Sequence, residues 1–386
     1  MINAPFPWPW RGPENRRLSI AVGIYLLAIN AWALFAIDFL PISRASAWDP
    51  QANLRAPLFA RFDSGWYDSV IRFGYQKPPP DGGQSSHAFF PLYPTLGRYV
   101  HLVTGIDSFQ SGLLVTWAAL FLAVPLLVEE ARARFGERRA RDALPFLFLY
   151  PVSFFLAAVY TESTFLLVVL LAFRAVRRGE LPAAILFGVL AGLTRAPGVA
   201  VGPALAVAWA AGRRDDPRRF AGAALLLLAP LSAALGWIFG IGLSKGEPLL
   251  FFRSMGAWRE AAGNPFSGVV HFVREPVAAW RAGQLASQPW SAAPWLHLTL
   301  YGFLAGYLSV RRMWADAAWI ACALGLSILT GTAAGIPRYT LTVYPGHFAV
   351  AQLCERRPIL RRVWLGISGA LLLLNAALFT NWHFVS

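Results

Sequence analysis

The chain has 386 residues, of which 56% are apolar and 14% charged, and its mean hydropathy is +0.48. A soluble domain of this size needs more polar surface, so the composition argues for a membrane protein. The net charge of +14 is carried almost wholly by arginines dispersed among short connections, with Lys77 and Lys245 the two lysines, which excludes the single basic patch of a nucleic-acid binder.

A helix needs roughly 20 apolar residues to cross the hydrocarbon, and the apolar stretches of this chain are read against that length. The first, Leu18 to Leu40, follows Arg16-Arg17 and precedes Ala45-Ser46-Ala47, a pattern that imitates an export signal. It is longer than the roughly 7–15-residue core of such a signal and reads as an uncleaved span. Next come Ser111 to Val128, Ala143 to Tyr160, Thr164 to Val176, Leu181 to Thr194, Pro197 to Ala211 and Phe220 to Leu243. Pro294 to Val310, Ala315 to Ala333, Tyr339 to Leu353 and Val363 to Thr380 complete a set of eleven. The fourth to sixth are short, so they are expected to cross a thinned region or to face protein or water instead of lipid. Cys322 and Cys354 fall inside spans and read as packing residues, not as a disulfide or zinc framework.

With the N-terminus inside, most of the 34 basic residues fall in inner connections, among them Arg132, Arg134, Arg177, Arg213, Arg312 and Arg356. That is the asymmetry expected of cytoplasmic loops. Two outer segments, 41–110 and 244–293, are too long to be simple connections, and loops of that size are usually functional. The first holds a helix-like stretch from Asp63 to Phe73, a turn-rich Lys77-Pro78-Pro79-Pro80-Asp81-Gly82-Gly83, and Phe89-Phe90-Pro91-Leu92-Tyr93-Pro94. Such aromatic and proline-rich sequence suits the headgroup zone. The whole chain, 1–386, reads as one integral membrane domain.

Ionisable residues gather at outer helix ends. If the residues after Asp63 are helical, Trp66 and Tyr67 share its face at i+3 and i+4 and are expected to contact substrate beside it, whereas Asp68 points elsewhere and meets Arg72 at i+4. Asp63 is placed equally well to cap that helix. Glu162 stands where the third span leaves the membrane, a costly position for an acid without a partner or substrate. Capping its own helix is the plainer alternative. Arg195, beside the helix-breaking Pro197-Gly198, and Arg338, after Gly335-Ile336-Pro337, are positioned to grip phosphate oxygens or to snorkel to headgroups. His87 is a lone loop histidine, read as a surface residue and secondarily as a substrate contact. The sequence contains no Walker loop, GxGxxG turn or zinc motif, and so names no cofactor and no metal ligand set. An acid fixed at a membrane surface suggests chemistry on a lipid-borne substrate.

Here the sequence resembles the PIG-V type of mannosyltransferase, the family of GPI mannosyltransferase II and its bacterial relatives. The resemblance rests on Phe62-Asp63-Ser64-Gly65-Trp66-Tyr67 with Gly74-Tyr75, and on Ala88-Phe89-Phe90-Pro91-Leu92-Tyr93-Pro94. Tyr160-Thr161-Glu162-Ser163, Thr194-Arg195 and Pro337-Arg338-Tyr339 before Pro345 add weaker matches. It implies an all-α polytopic GT-C bundle of about eleven transmembrane helices with a long first extracytoplasmic loop. It also implies a sugar donor carried on polyprenyl or dolichyl phosphate, inversion at the anomeric carbon, and a glycolipid, glycan or protein acceptor. Asp63 would be the general base, Arg195 and Arg338 would offset charge on the leaving phosphate, and Glu162 would orient sugar or acceptor. Arginine-heavy composition and compact loops point to a bacterial cell membrane, with the endoplasmic reticulum as the eukaryotic counterpart. A carrier of lipid-linked sugars is the alternative, but it predicts polar mid-span residues and internal repeats. Only Asn30 and Asn375 stand out mid-span, and no repeat is visible.

Overall fold

The computed structural model describes residues 13–40, 58–79, 83–140, 143–213, 215–257, 292–330 and 335–385, with short pieces between 269 and 281. The expectations for 41–57, for the Pro80-Asp81-Gly82 turn and for most of 244–293 lie outside these residues. Among the described residues the chain is helical, with no strand. The helices are α1 (Pro13–Phe39), α2 (Ser64–Phe73), α3 (Leu92–Thr104), α4 (Ser108–Phe135), α5 (Glu137–Ala140), α6 (Ala143–Phe148), α7 (Glu162–Arg178) and α8 (Leu181–Gly192). They continue as α9 (Val201–Ala211), α10 (Arg219–Ser244), α11 (Leu250–Gly256), α12 (Ala293–Val310), α13 (Trp314–Thr330), α14 (Ile336–Thr342), α15 (Tyr344–Cys354) and α16 (Pro358–Thr380).

Four of them, α1, α4, α10 and α16, are long and apolar enough to cross a membrane, which makes the chain a multi-pass membrane protein. Leu225, Leu228 and Phe239 of α10 and Ile367 and Leu374 of α16 point outward, a surface that suits lipid tails and not water. The short apolar helices α8 and α9 agree with the short fifth and sixth spans expected from hydropathy, and α13, on the ninth, is short as well. Because lipid does not drive helices together as water does, close backbone approach matters more. A side chain at Gly192 would fall on the carbonyl of Pro230, and one at Gly198 on the carbonyl of Ala191, so α8, α10 and the 3₁₀ turn Ala196–Ala200 meet backbone to backbone. Gly198→Ala should therefore destabilise by about 1–3 kcal/mol through overpacking. The unfolding midpoint in detergent reads this, and an unshifted midpoint would mean that the turn packs differently.

Two expected spans are not continuous helices. The third, Ala143 to Tyr160, is helical to Phe148 and then passes through Pro151, turns and the 3₁₀ piece Ser153–Leu156. Residues 152–160 are nonetheless fully buried, and hydropathy reports burial, not helicity. Irregular backbone inside a membrane protein survives only if its polar groups find partners. Here Tyr25 of α1 donates to Ser153 O (2.6 Å), Trp117 of α4 to Ala157 O (3.0 Å) and Asn375 of α16 to Pro151 O (3.0 Å). Thr116 donates to Tyr160 O (3.3 Å) and Ser163 to Leu156 O (2.8 Å). The tenth span, Tyr339 to Leu353, breaks at Val343 because Pro345 has no N–H to bond back to Leu341 and its ring crowds that carbonyl, giving α14 and α15.

Helix direction sorts the ends of the bundle. The first turn of α1 meets the last turn of α4 through Glu14 and Arg132 (2.6 Å), and the last turn of α4 meets the first turn of α13 through Arg134 and Asp316. The arginine-rich connections thus share one end. Asp63, Glu162, Arg195 and Arg338 lie at the other, at the far end of α7, about 22 Å away at 1.5 Å per residue from Glu162 to Arg177.

Candidate active site

Asp63 stands at the start of α2 on a strained backbone. Its neighbour Phe62 has φ +51°, a left-handed conformation costing about 1–3 kcal/mol in a bulky residue, so its surroundings must impose it. They do so from the end of α16. The Phe62 ring meets Phe379, Trp382 and Phe384, each with centroids 5.5 Å away. Arg61 donates to Thr380 O (3.1 Å), Tyr160 Oη donates to Arg61 O (3.0 Å), and Ser64 Oγ donates to Val159 O (3.2 Å).

Asp63 occupies the N-cap position of α2 but caps nothing: its backbone is helical (φ −54°, ψ −22°) and its side chain accepts no amide hydrogen bond. Its Oδ2 instead accepts from Arg338 Nη1 at 3.0 Å. The same guanidinium reaches Glu162 Oε1 through Nε and Nη2, both at 3.1 Å, and Arg195 Nη1 donates to that oxygen at 2.8 Å. Two carboxylates and two guanidiniums therefore form one linked, formally neutral chain. Aromatic faces line it, with Arg338 over Phe155 (4.7 Å) and Tyr160 (4.6 Å), and Arg195 over Tyr339 (5.1 Å) and Phe165 (5.9 Å). Such contacts strengthen when desolvated. Neither arginine snorkels: Arg195 is 7% exposed and the Arg338 side chain 15%.

Asp63, Tyr67, Thr161, Thr194, Arg195, Arg338 and Tyr339 line an open cavity of about 190 Å³ whose other wall is apolar, from Phe89, Phe90, Pro197, Phe251 and Met255. Among the linked carboxylates, Asp63 is the accessible one, with a quarter of its side chain exposed against none for Glu162. Burial alone would push the Glu162 carboxyl up, but Arg195 and then Arg338 outweigh it and hold the group below the usual carboxylate range. Burial, with Asp63 and Glu162 nearby, pushes the Tyr67 phenol up, so it stays protonated and able to donate.

Three residues expected to contact substrate are placed otherwise. Glu162 lies behind the two guanidiniums and does not line the cavity, because two cations are what make burying it tolerable. Trp66 is half-buried and stacks on Phe89 (6.3 Å), outside the cavity wall. His87 is neither surface nor cavity: it is 1% exposed, held by Ser85 (3.1 Å) beside Tyr75, with Ser85 in turn bonded to Ser254 (2.7 Å). Burial, reinforced by Lys245, pushes its pKa down. Asp68 does pair with Arg72 at 3.6 Å, as the spacing predicts, and also accepts from Ser108. Thr161, Thr194 and Tyr339 adjoin residues singled out in the sequence, whereas Phe251 and Met255 come from the second long connection and carry no sequence signal. Among the described residues no three His, Cys, Asp or Glu side chains are grouped to hold a metal ion.

No family model and no curated protein matches the chain. Among solved structures it is similar to ArnT from Cupriavidus metallidurans in the apo state, with TM-score 0.48 and 17% identity over 90% of this chain and 61% of that one. ArnT from the same organism bound to undecaprenyl phosphate gives TM-score 0.41 and 15% identity over 94% and 76%. The Archaeoglobus fulgidus oligosaccharyltransferase in complex with zinc and sulfate gives TM-score 0.44 and 14% identity over 92% and 53%. The chain thus spans about three fifths of the first of these proteins and about half of the last.

Proposed function

We propose that this chain is a GT-C-type membrane glycosyltransferase that moves a hexose, mannose by the sequence resemblance, from a polyprenyl- or dolichyl-phosphate donor to a glycolipid, glycan or protein acceptor. The observation that carries the reading is the Asp63–Arg338–Glu162–Arg195 chain at the edge of a half-apolar cavity. It offers one reachable base beside two phosphate-binding forks. By the arginine asymmetry, the cavity faces the extracytoplasmic side of a bacterial cell membrane, with nucleic acid no part of its chemistry.

In the transfer, the acceptor hydroxyl attacks the anomeric carbon and gives its proton to Asp63 as the bond from that carbon to the phosphate oxygen breaks. The electron pair stays with the lipid phosphate, which goes from one negative charge to two. A carboxylate is a weak base for an alcohol, so proton transfer and departure must be concerted. Protonation of Asp63 removes the negative partner of Arg338 at the moment the phosphate gains charge. Arg338 is thereby released toward the leaving group, a form of transition-state electrostatics. Glu162 acts through the arginines, holding both guanidiniums in place. Attack from the face opposite the phosphate inverts the anomeric centre.

Binding of the product lipid tests this reading. Arg338→Gln should weaken retention of polyprenyl phosphate about tenfold or more, the worth of a charge-assisted pair, measured by native mass spectrometry or by displacement of a labelled lipid. Unchanged affinity would remove Arg338 from the phosphate site.

A further inference from the structure

The arginine-rich end of the bundle holds a second cavity, of about 940 Å³, walled by the ends of α4, α7 and α9 and the turn into α13. Its size suits an organic ligand. Two acids line it, Glu130 and Asp316, and both are committed. Glu130 pairs with Arg134 (2.5 Å) and Arg177, and Asp316 pairs with Arg134. Arg134 also donates to Tyr344 Oη (3.2 Å) and lies over the Phe173 and Tyr344 rings. These contacts lock α4, α7, α13 and α15 together and leave no acid facing the cavity for its other two cations.

Those cations are Arg213 and Arg312. The Arg213 guanidinium lies over Trp209, its central carbon 3.3 Å from the ring centroid, and donates to backbone carbonyls, of Trp209 (3.4 Å) and Val176 (3.3 Å). Arg312 has no ionic partner among the described residues and is held at φ +59°, a conformation unfavourable for arginine. The cavity lining therefore carries four guanidiniums against two carboxylates. We propose that this cavity is a binding site for a phosphate-bearing anion, gripped by Arg213 and Arg312, with the apolar part of the ligand against Trp314 and Val207. It is a different site from the Asp63 cavity, at the other end of α7, and stands whether or not that cavity transfers a sugar. The anion's source is either a soluble phosphate compound or the headgroup of a membrane phospholipid.

The full-length protein in neutral detergent, titrated with inorganic pyrophosphate, should show a rising unfolding midpoint by mass action. In parallel, native mass spectrometry would follow phosphatidylglycerol retained from nanodiscs. The paired variant Arg213→Gln/Arg312→Gly removes both cations, and glycine accepts the backbone at 312 without strain. At least one anion should bind the natural protein and bind the variant about tenfold or more weakly. A pyrophosphate effect identifies a soluble ligand, retained phosphatidylglycerol a headgroup. Binding of neither anion, binding equal in the two proteins, or binding lost in Arg338→Gln but kept in the paired variant would overturn the proposal.

Discussion

Asp63→Asn is expected to cut sugar transfer by on the order of 10³-fold, within the range a positioned general base contributes, while the protein stays folded. Asparagine keeps the shape of the side chain and its carbonyl still accepts from Arg338, but it takes no proton from an alcohol. The fold tolerates the change because Asp63 is a quarter exposed and makes no cap, and because Arg338 keeps Glu162 as its counter-charge. Initial rates of lipid-phosphate release at saturating donor, with unfolding midpoints alongside, separate lost chemistry from lost structure. A variant with more than about a tenth of the natural rate would take the base assignment away from Asp63.

Glu162→Gln should have the largest effect on stability. The natural side chain is fully buried and bridges two guanidiniums that are themselves nearly buried. Removing one member of such a set leaves uncompensated charge and costs about 3–5 kcal/mol. Asp63 remains for Arg338, but Arg195 loses its carboxylate. Adding Arg195→Gln to Glu162→Gln should then recover part of the loss, so the double variant is more stable than the sum of the singles predicts. Strict additivity would mean that the two side chains do not interact. A pH signature goes with this. Because the folded state holds Glu162 below its ordinary value of 4.5, the carboxylate contributes stability above that pH. The contribution fades as pH falls from 4.5 through the lower folded value. Glu162→Gln should lack that acid-limb component.

Much of this was legible in the sequence, and the rest failed for identifiable reasons. Hydropathy found α1, α4, α10 and α16 because long apolar runs have few alternatives in a membrane. It could not separate helix from the buried irregular stretch after Phe148, since both are equally apolar and the difference lies in donors from distant helices such as Tyr25, Trp117 and Asn375. The charged residues at helix ends stood out one by one, yet their linkage did not, because Arg338 meets Asp63 across 275 positions and Glu162 across 176. Local geometry made Asp63 an equally good cap, and only the competing guanidinium explains why its side chain turns away. Loop composition suggested an exposed His87, but Ser85, Tyr75 and the segment carrying Ser254 enclose it. Glu162 was recognisable as a costly charge, whereas its position behind Arg195 and Arg338 required the packed bundle.

Transfer of a sugar from a lipid phosphate with inversion, proposed for the Asp63 cavity, is read from its two products. The most direct measurement supplies the purified protein in nanodiscs with polyprenyl-phosphate hexoses, mannose first, and acceptor-containing membrane extract, and follows both products. Polyprenyl phosphate and an inverted glycoside should be released in equal amounts. Consumption of none of these donors by folded protein that still retains polyprenyl phosphate, or a glycoside that keeps the donor's anomeric configuration, would contradict it.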